Sequence, residues 1–160
     1  MKRAGIIICM ALITLGIQSC DNEEMLINEF KEIEGGEWSN QDTLKFHFDV
    51  QDLSHMYNIY VNLRVNKDYK YANMYLQARL DHISEPPQFR QKQIMLAAPN
   101  GKWYGTGRGE IITLQVPIQK DVKFNKDGRY YFEMVQEMRD SSLANVVSAG
   151  IMVEKGPPVF

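Results

Sequence analysis

"TLKFHFDVQDLSHMYNIYVNLRV", Thr43 to Val65, decides the fold class. Leu44, Phe46, Phe48 and Val50 alternate with Lys45, His47 and Asp49. Tyr57, Ile59, Val61, Leu63 and Val65 then alternate with Asn58, Asn62 and Arg64. A period of two sends successive side chains to opposite faces, so each run is a strand with one buried face. Asp52-Leu53-Ser54-His55 between them has the composition of a turn, which predicts that the two strands are antiparallel neighbours.

The same pattern continues outward. Met74, Leu76, Ala78 and Leu80 alternate with Tyr75, Gln77 and Arg79 until Glu85-Pro86-Pro87, where proline cannot donate to a ladder. Further strands are expected over 92–97, 111–118, 129–138 and 147–154. Their buried faces are Ile112, Leu114, Val116 and Ile118; then Tyr130, Phe132, Met134 and Met138; then Val147, Ala149, Ile151 and Val153. Pro117 marks its strand as an edge or a strand that is finishing. Asn125-Lys126-Asp127-Gly128 is a turn, because Gly128 accepts positive φ and Asp127 bonds its own backbone. No stretch of helix length keeps a 3.6-residue period; Met138 to Asn145 is the one place for a short turn of helix. The expected fold is all-β, an antiparallel β-sandwich of about seven or eight strands.

Ahead of this domain stand Lys2 and Arg3, an apolar run from Ala4 to Ile17, and Gln18-Ser19-Cys20. This is the layout of a secretory signal peptide, and the run is short of the roughly twenty residues a membrane-spanning helix needs. Ile17 and Ser19 before Cys20 resemble the lipobox of bacterial lipoproteins, with Gln18 a departure from the usual small or aliphatic residue. That resemblance implies that Cys20 becomes the first mature residue and carries diacylglycerol and an N-acyl chain. The competing reading pairs Cys20 with Cys9, which lies inside the apolar run, or buries it in a core. The expected organisation is a signal peptide over 1–19, a lipidated cysteine with an acidic tether over 20–36, and one β-sandwich domain over 37–160. Asp21, Glu23 and Glu24 are either a solvated linker or, by resemblance to surface lipoproteins of the Bacteroidota, an export signal.

Charge excludes one class of partner. The chain has 18 Lys and Arg against 20 Asp and Glu, and loss of Lys2 and Arg3 with the signal leaves 16 against 20, a net charge of −4. Without a basic block to track a phosphate backbone, nucleic acid is not an expected partner. Hydrophobic residues at 44% are a folding composition.

Chemistry-bearing motifs are few. His47, His55 and His82 lack the spacing of a metal site and read as solvated. Asp42, Asp49 and Asp52 lack the alternate spacing and glycine of a calcium loop. "NGKWYGTGRGE", Asn100 to Glu110, is glycine-rich without the Gly-Lys-Ser/Thr ending of a phosphate loop. It offers Trp103, Tyr104 and Arg108 as contacts to a sugar ring or a partner's pocket, or its aromatics cap the open end of the sandwich. No serine sits in a nucleophile elbow, so no catalytic, metal or cofactor site is expected.

The order of features is specific. A lipobox and Trp38-Ser39 precede "YNIYVNLRVNKDYKYANMYL" (57–76), "GKWYGTGRGE" (101–110), "DGRYYFEMVQEMR" (127–139) and "AGIMVEK" (149–155). Over nearly the whole mature chain this resembles the GldH family of gliding-motility lipoproteins of the Bacteroidota. The resemblance implies a lipid-anchored outer-membrane protein in a group required for gliding that overlaps the type IX secretion machine; of the two faces of that membrane, the cell surface is favoured over the periplasmic one. It implies no catalytic residues; relatives also occur in bacteria that do not glide. The expected partners are the bilayer, through Cys20, and outer-membrane proteins of such an envelope machine. The rival expectation is a surface glycan-binding lipoprotein that uses the aromatic loop together with Tyr69, Tyr71 and Tyr75 on one strand face.

Overall fold

The computed structural model describes residues 25–86 and 88–159. Cys20, Asp21, Glu23 and Glu24 lie outside them. Eleven strands are present among the described residues: β1 (Met25–Glu32), β2 (Glu37–Ser39), β3 (Leu44–Val50), β4 (His55–Asn66), β5 (Asn73–His82), β6 (Arg90–Met95), β7 (Thr106–Arg108), β8 (Ile111–Val122), β9 (Gly128–Gln136), β10 (Ser142–Ala144) and β11 (Val146–Pro158). They build a five-stranded sheet, β1-β11-β4-β8-β7, a four-stranded sheet, β3-β9-β5-β6, and a small ribbon, β10-β2. Every pairing is antiparallel. The all-β class is as the alternation requires, with more strands than expected.

The core forms where the two inner faces meet. Ile59, Val61, Leu63 and Val65 of β4 and Ala149, Ile151 and Val153 of β11 face Phe46 and Phe48 of β3, Phe132 and Met134 of β9 and Leu76 of β5. Phe124, from the β8–β9 loop, plugs one end: its ring lies 5.2 Å from Tyr57 of the larger sheet and 4.5 Å from Tyr130 of the smaller. At the other end Trp38 is fully buried against the core, and its indole N–H donates to the Asp42 carbonyl at 2.9 Å.

Three expectations are corrected. First, β3 and β4 are not neighbours: β3 pairs with β9, and β4 with β11 and β8. Alternation fixes which face of a strand is buried, not which strand lies beside it. The Asp52 turn therefore carries the chain from one sheet to the other. Asp52 accepts from the Ser54 amide at 2.8 Å and pairs with Lys155 of β11 at 2.5 Å, while Tyr57 donates to the Asp52 carbonyl. Second, 138–145 holds the short strand β10 and not a helical turn; Leu143 packs into the core opposite Trp38. Third, the domain does not begin at residue 37. β1 runs along β11 from Met25, followed by a 3-10 turn over Glu34–Gly36, so 25–36 is folded and not tether. Pro117 sits where expected, since β7 covers only 111–113 of β8 and leaves the rest of that strand on the edge.

Gly150 of β11 lies in register between Phe30 of β1 and Asn62 of β4. A Cβ there would overlap the carbonyl oxygen of Glu29, which is backbone and cannot swing away. Replacing a strand glycine by alanine ordinarily stabilises by about 0.5–1 kcal/mol. Gly150→Ala is expected to have the opposite sign, lowering the thermal midpoint as β1 is pushed off β11; circular dichroism melting checks it.

The Lys155 ammonium, joined by the Ser54 hydroxyl and amide, holds the Asp52 carboxyl well below the usual carboxylate range. A depressed folded-state value means stability that is full above the unfolded-state value of about 3.9 and is lost as pH falls toward the folded one. The melting temperature of Asp52→Asn is therefore expected to lie below that of the wild type at pH 7, with the gap shrinking below about pH 4.

Candidate functional site

The glycine-rich loop separates the aromatic residues that the sequence places together. Trp103 is half-buried, packs against the core, and bridges through its backbone to Ala97. It helps to cap one end of the sandwich. Tyr104 beside it is 63% exposed, and Arg108 is exposed on β7. Tyr69, Tyr71 and Tyr75 do not share a strand face. Tyr69 is buried in the β4–β5 loop, Tyr71 donates to Asp140 at 2.6 Å, and only Tyr75 lies on a strand. His55 contacts Asp52, and His82 contacts Ser84 and the Asp127 carbonyl. Asp49 is held by Arg129 through two contacts of 3.0 Å.

What the fold assembles instead is a groove of about 420 Å³ on the outer face of the larger sheet. Alternation turns Ala149, Ile151 and Val153 inward, and so turns Ser148, Gly150 and Met152 outward; the registered neighbours Asn28, Phe30, Asn62, Arg64, Thr113 and Gln115 point the same way. Gly150 supplies no side chain, so Asn62 Nδ2 reaches across it to Asn28 Oδ1 at 3.3 Å. Asn62 is only 3% exposed, and its Oδ1 has no partner. Ser148 Oγ, in register with Arg64, is likewise buried and unpartnered. Leaving a buried polar group unpaired costs about 1–3 kcal/mol, so two on one face mark it. The Arg64 guanidinium carbon lies over the Phe30 ring, 4.0 Å from its centroid. Gln115 spends its amide donor on the Met152 sulfur at 3.3 Å, a weak acceptor. Tyr104 and Thr106 form the rim, and Gly105 fixes it: a Cβ there would overlap the Thr113 carbonyl, so only glycine lets the loop lie this close to β8.

A second depression, of about 510 Å³, lies at one end of the smaller sheet, where Tyr71, Tyr75, Met138 and Arg139 surround a hollow. Its polar members are joined to one another. Gln91 donates to Glu137 at 2.9 Å, and the Tyr71 hydroxyl together with Lys70 holds the Asp140 carboxyl below its ordinary value. The buried Gln136 amide braces the rim from beneath, contacting the Trp38, Asp140 and Ser141 carbonyls and accepting from Met138 N–H at 2.8 Å.

Comparison with known proteins places this architecture. The family model described as GldH lipoprotein matches residues 25–153, from the start of β1 into the middle of β11. The chain belongs to the GldH lipoprotein family. It is 26% identical to the "Gliding motility lipoprotein GldH homolog" of Christiangramia forsetii, over 86% of this chain and 87% of that one. It is 26% identical to the "Gliding motility lipoprotein GldH" of Flavobacterium johnsoniae, over 97% and 98% of the two chains. No solved structure matches it. The chain is thus a gliding-motility-associated lipoprotein of the Bacteroidota.

The segments that carried the family resemblance meet in pairs. The 57–64 strand and the 101–107 loop adjoin at the groove, where Asn62 and Arg64 face Tyr104 and Thr106. The 69–76 segment and Gln136 to Arg139 adjoin at the second depression. Sequence reading missed Asn28, Asn62, Thr113 and Gln115. Their one local signal is that the polar face of the 57–65 run carries asparagines where a plain solvated strand carries Lys and Glu.

The two loop aromatics are expected to part company on substitution. Trp103→Ala should cost about 1–3 kcal/mol, below the ~3–5 of a fully buried aromatic. Tyr104→Ala should stay within about 0.5 kcal/mol of the wild type. Urea denaturation of both variants checks the pair.

Proposed function

We propose that the chain is a non-enzymatic outer-membrane lipoprotein, anchored through acylated Cys20 with Asp21, Glu23 and Glu24 as export signal. It faces the cell surface and acts as an accessory subunit of the gliding and type IX secretion apparatus through protein contacts. The family match over residues 25–153 carries this reading. The position of β1 supports it. With β1 beginning at Met25, five residue steps from Cys20 allow at most about 18 Å between lipid and that strand. Two or more acyl chains give a stable anchor where one does not, and a short tether raises the effective concentration toward membrane partners.

The register supports a reading of which end is presented. Met25 pairs with Glu154, and Tyr57 pairs with Lys155 and Val122, so the start of β1 shares an end with the start of β4 and the finish of β8. Glu32, Asn66, Ile111 and Val146 gather at the other end. With strands rising about 3.3 Å per residue, the thirteen residues of β11 span roughly 40 Å. The far end carries Tyr104, Arg108 and the hollow of Tyr75, Met138 and Arg139. Tyr, Met and Arg are the side chains enriched where proteins bind one another, and we assign the protein contact to that hollow.

Affinity purification of the tagged lipoprotein from native envelopes, with quantitative mass spectrometry against Cys20→Ala, tests the assignment. Stoichiometric recovery of outer-membrane gliding or secretion components is expected, lost in Cys20→Ala and reduced in Tyr75→Ala. Recovery of the lipoprotein alone would overturn the reading.

A further inference from the structure

We propose that the groove on the outer face of the larger sheet is a saccharide-binding site, taking a short segment of a neutral or uronate-bearing glycan. The proposal is independent of the protein-contact reading and concerns the opposite sheet. Four observations carry it.

The lining is chemically specific. Its polar groups are carboxamides and hydroxyls, from Asn28, Asn62, Gln115, Thr106 and Thr113, and Arg64 is its single charge. A carboxamide offers a donor and an acceptor side by side, which matches a pair of vicinal hydroxyls, each also donor and acceptor. A solvated strand face needs no such selection. Amides are also poor company for an acyl chain, and the apolar core of a protein interface is missing here.

Capacity is left open. Asn62 Oδ1 is an acceptor without a donor, on a residue that lines the groove, and Gln115 rests its donor on a sulfur. Beneath them the ladder is paired on both sides, Asn62 with Gly150 and with Gln115. A ligand hydroxyl, directly or through one water, gives the Gln115 amide a stronger acceptor than sulfur.

Arg64 is preorganised. Its guanidinium rests over the Phe30 ring, and no carboxylate among the described residues forms a salt bridge with it. Its donors thus stand fixed for ring and hydroxyl oxygens, or for the carboxylate of a uronate.

Tyr104 supplies the apolar half of the recognition. It is the most exposed large hydrophobic side chain among the described residues and stands on a rim fixed by Gly105. An aromatic face there stacks on the C–H face of a pyranose. The volume of about 420 Å³ falls in the usual range for a small-ligand site, roughly 300–1,000 Å³.

The full-length acylated protein in detergent micelles should be probed on an array of defined oligosaccharides and polysaccharides: β-glucans, mannans, xylans, alginate and pectin fragments. Any retained saccharide is then titrated by calorimetry against Tyr104→Ala, Gln115→Ala and Tyr75→Ala. At least one saccharide is expected to bind, with affinity falling tenfold or more in Tyr104→Ala and in Gln115→Ala while Tyr75→Ala and the melting temperatures stay at the wild-type value. The proposal is overturned if no saccharide is retained, or if the two groove variants bind it as the wild type does. It is also overturned if those variants instead lose a co-purifying protein and no saccharide binds, which would make the groove a protein contact. Loss of envelope partners in Tyr75→Ala with saccharide binding intact would separate the two surfaces.

Discussion

Everything in this sandwich hangs on β11 being paired along both of its edges. Its backbone is shared between β1 and β4, and its inward side chains Ala149, Ile151 and Val153 are fully buried. A buried strand must have its amides and carbonyls bonded on both sides, so the two ends of the chain cannot fold separately. The last strand reaches back over more than a hundred residues to complete the first, which makes the topology strongly non-local and folding slow for its size. Gly150 is the point of closest approach, and the same missing side chain that lets β1 dock lets Asn28 and Asn62 meet above it.

The outer faces of the two sheets solve the problem of polar exposure in opposite ways. On the smaller sheet, charges form a row of ion pairs in which Arg79 Nε is buried without a partner. Lys45 lies 3.8 Å from Glu133, Glu133 is 2.8 Å from Arg79, and Arg79 is 3.4 Å from Asp81. Arg79 thereby holds the Glu133 carboxyl below its ordinary value. On the larger sheet, amides and hydroxyls face one another with atoms left over, and the Arg64 cation rests on a ring and not on a carboxylate. The smaller sheet thus pairs charge with charge, whereas the floor of the groove is built of neutral amides and hydroxyls with Arg64 as its one charge. That asymmetry, and not the number of pockets, separates the groove from the rest of the surface.

The two ends of the sandwich differ in character. At the end where β1 begins, Asp52, Lys155 and Tyr57 are knotted together. The Tyr104 rim and the Tyr75–Met138–Arg139 hollow lie toward the opposite end.

The sequence by itself determined which residues face the core. The alternations at 44–50, 57–65, 74–80 and 149–153 are realised, because successive side chains on a strand must point to opposite faces whatever the neighbours are, whereas a register shift between Val146 and Ser148 puts Val146 and not Val147 in the core. The turn at Gly128 and the edge position around Pro117 were legible for equally local reasons. Strand β1 was not, because a register shift between Met25 and Ile27 and a half-exposed edge position break its alternation. The β3–β4 pairing was misread because a turn composition does not say whether the chain stays in its sheet. Only the tertiary structure divided Trp103 from Tyr104, one packed on the core and one left in solvent. Only it built the groove, whose members run from Asn28 to Gln115 on four strands and a loop. Local sterics act over two or three residues and leave their mark in the sequence, whereas a surface made of distant strands exists only once the ladders between them have formed.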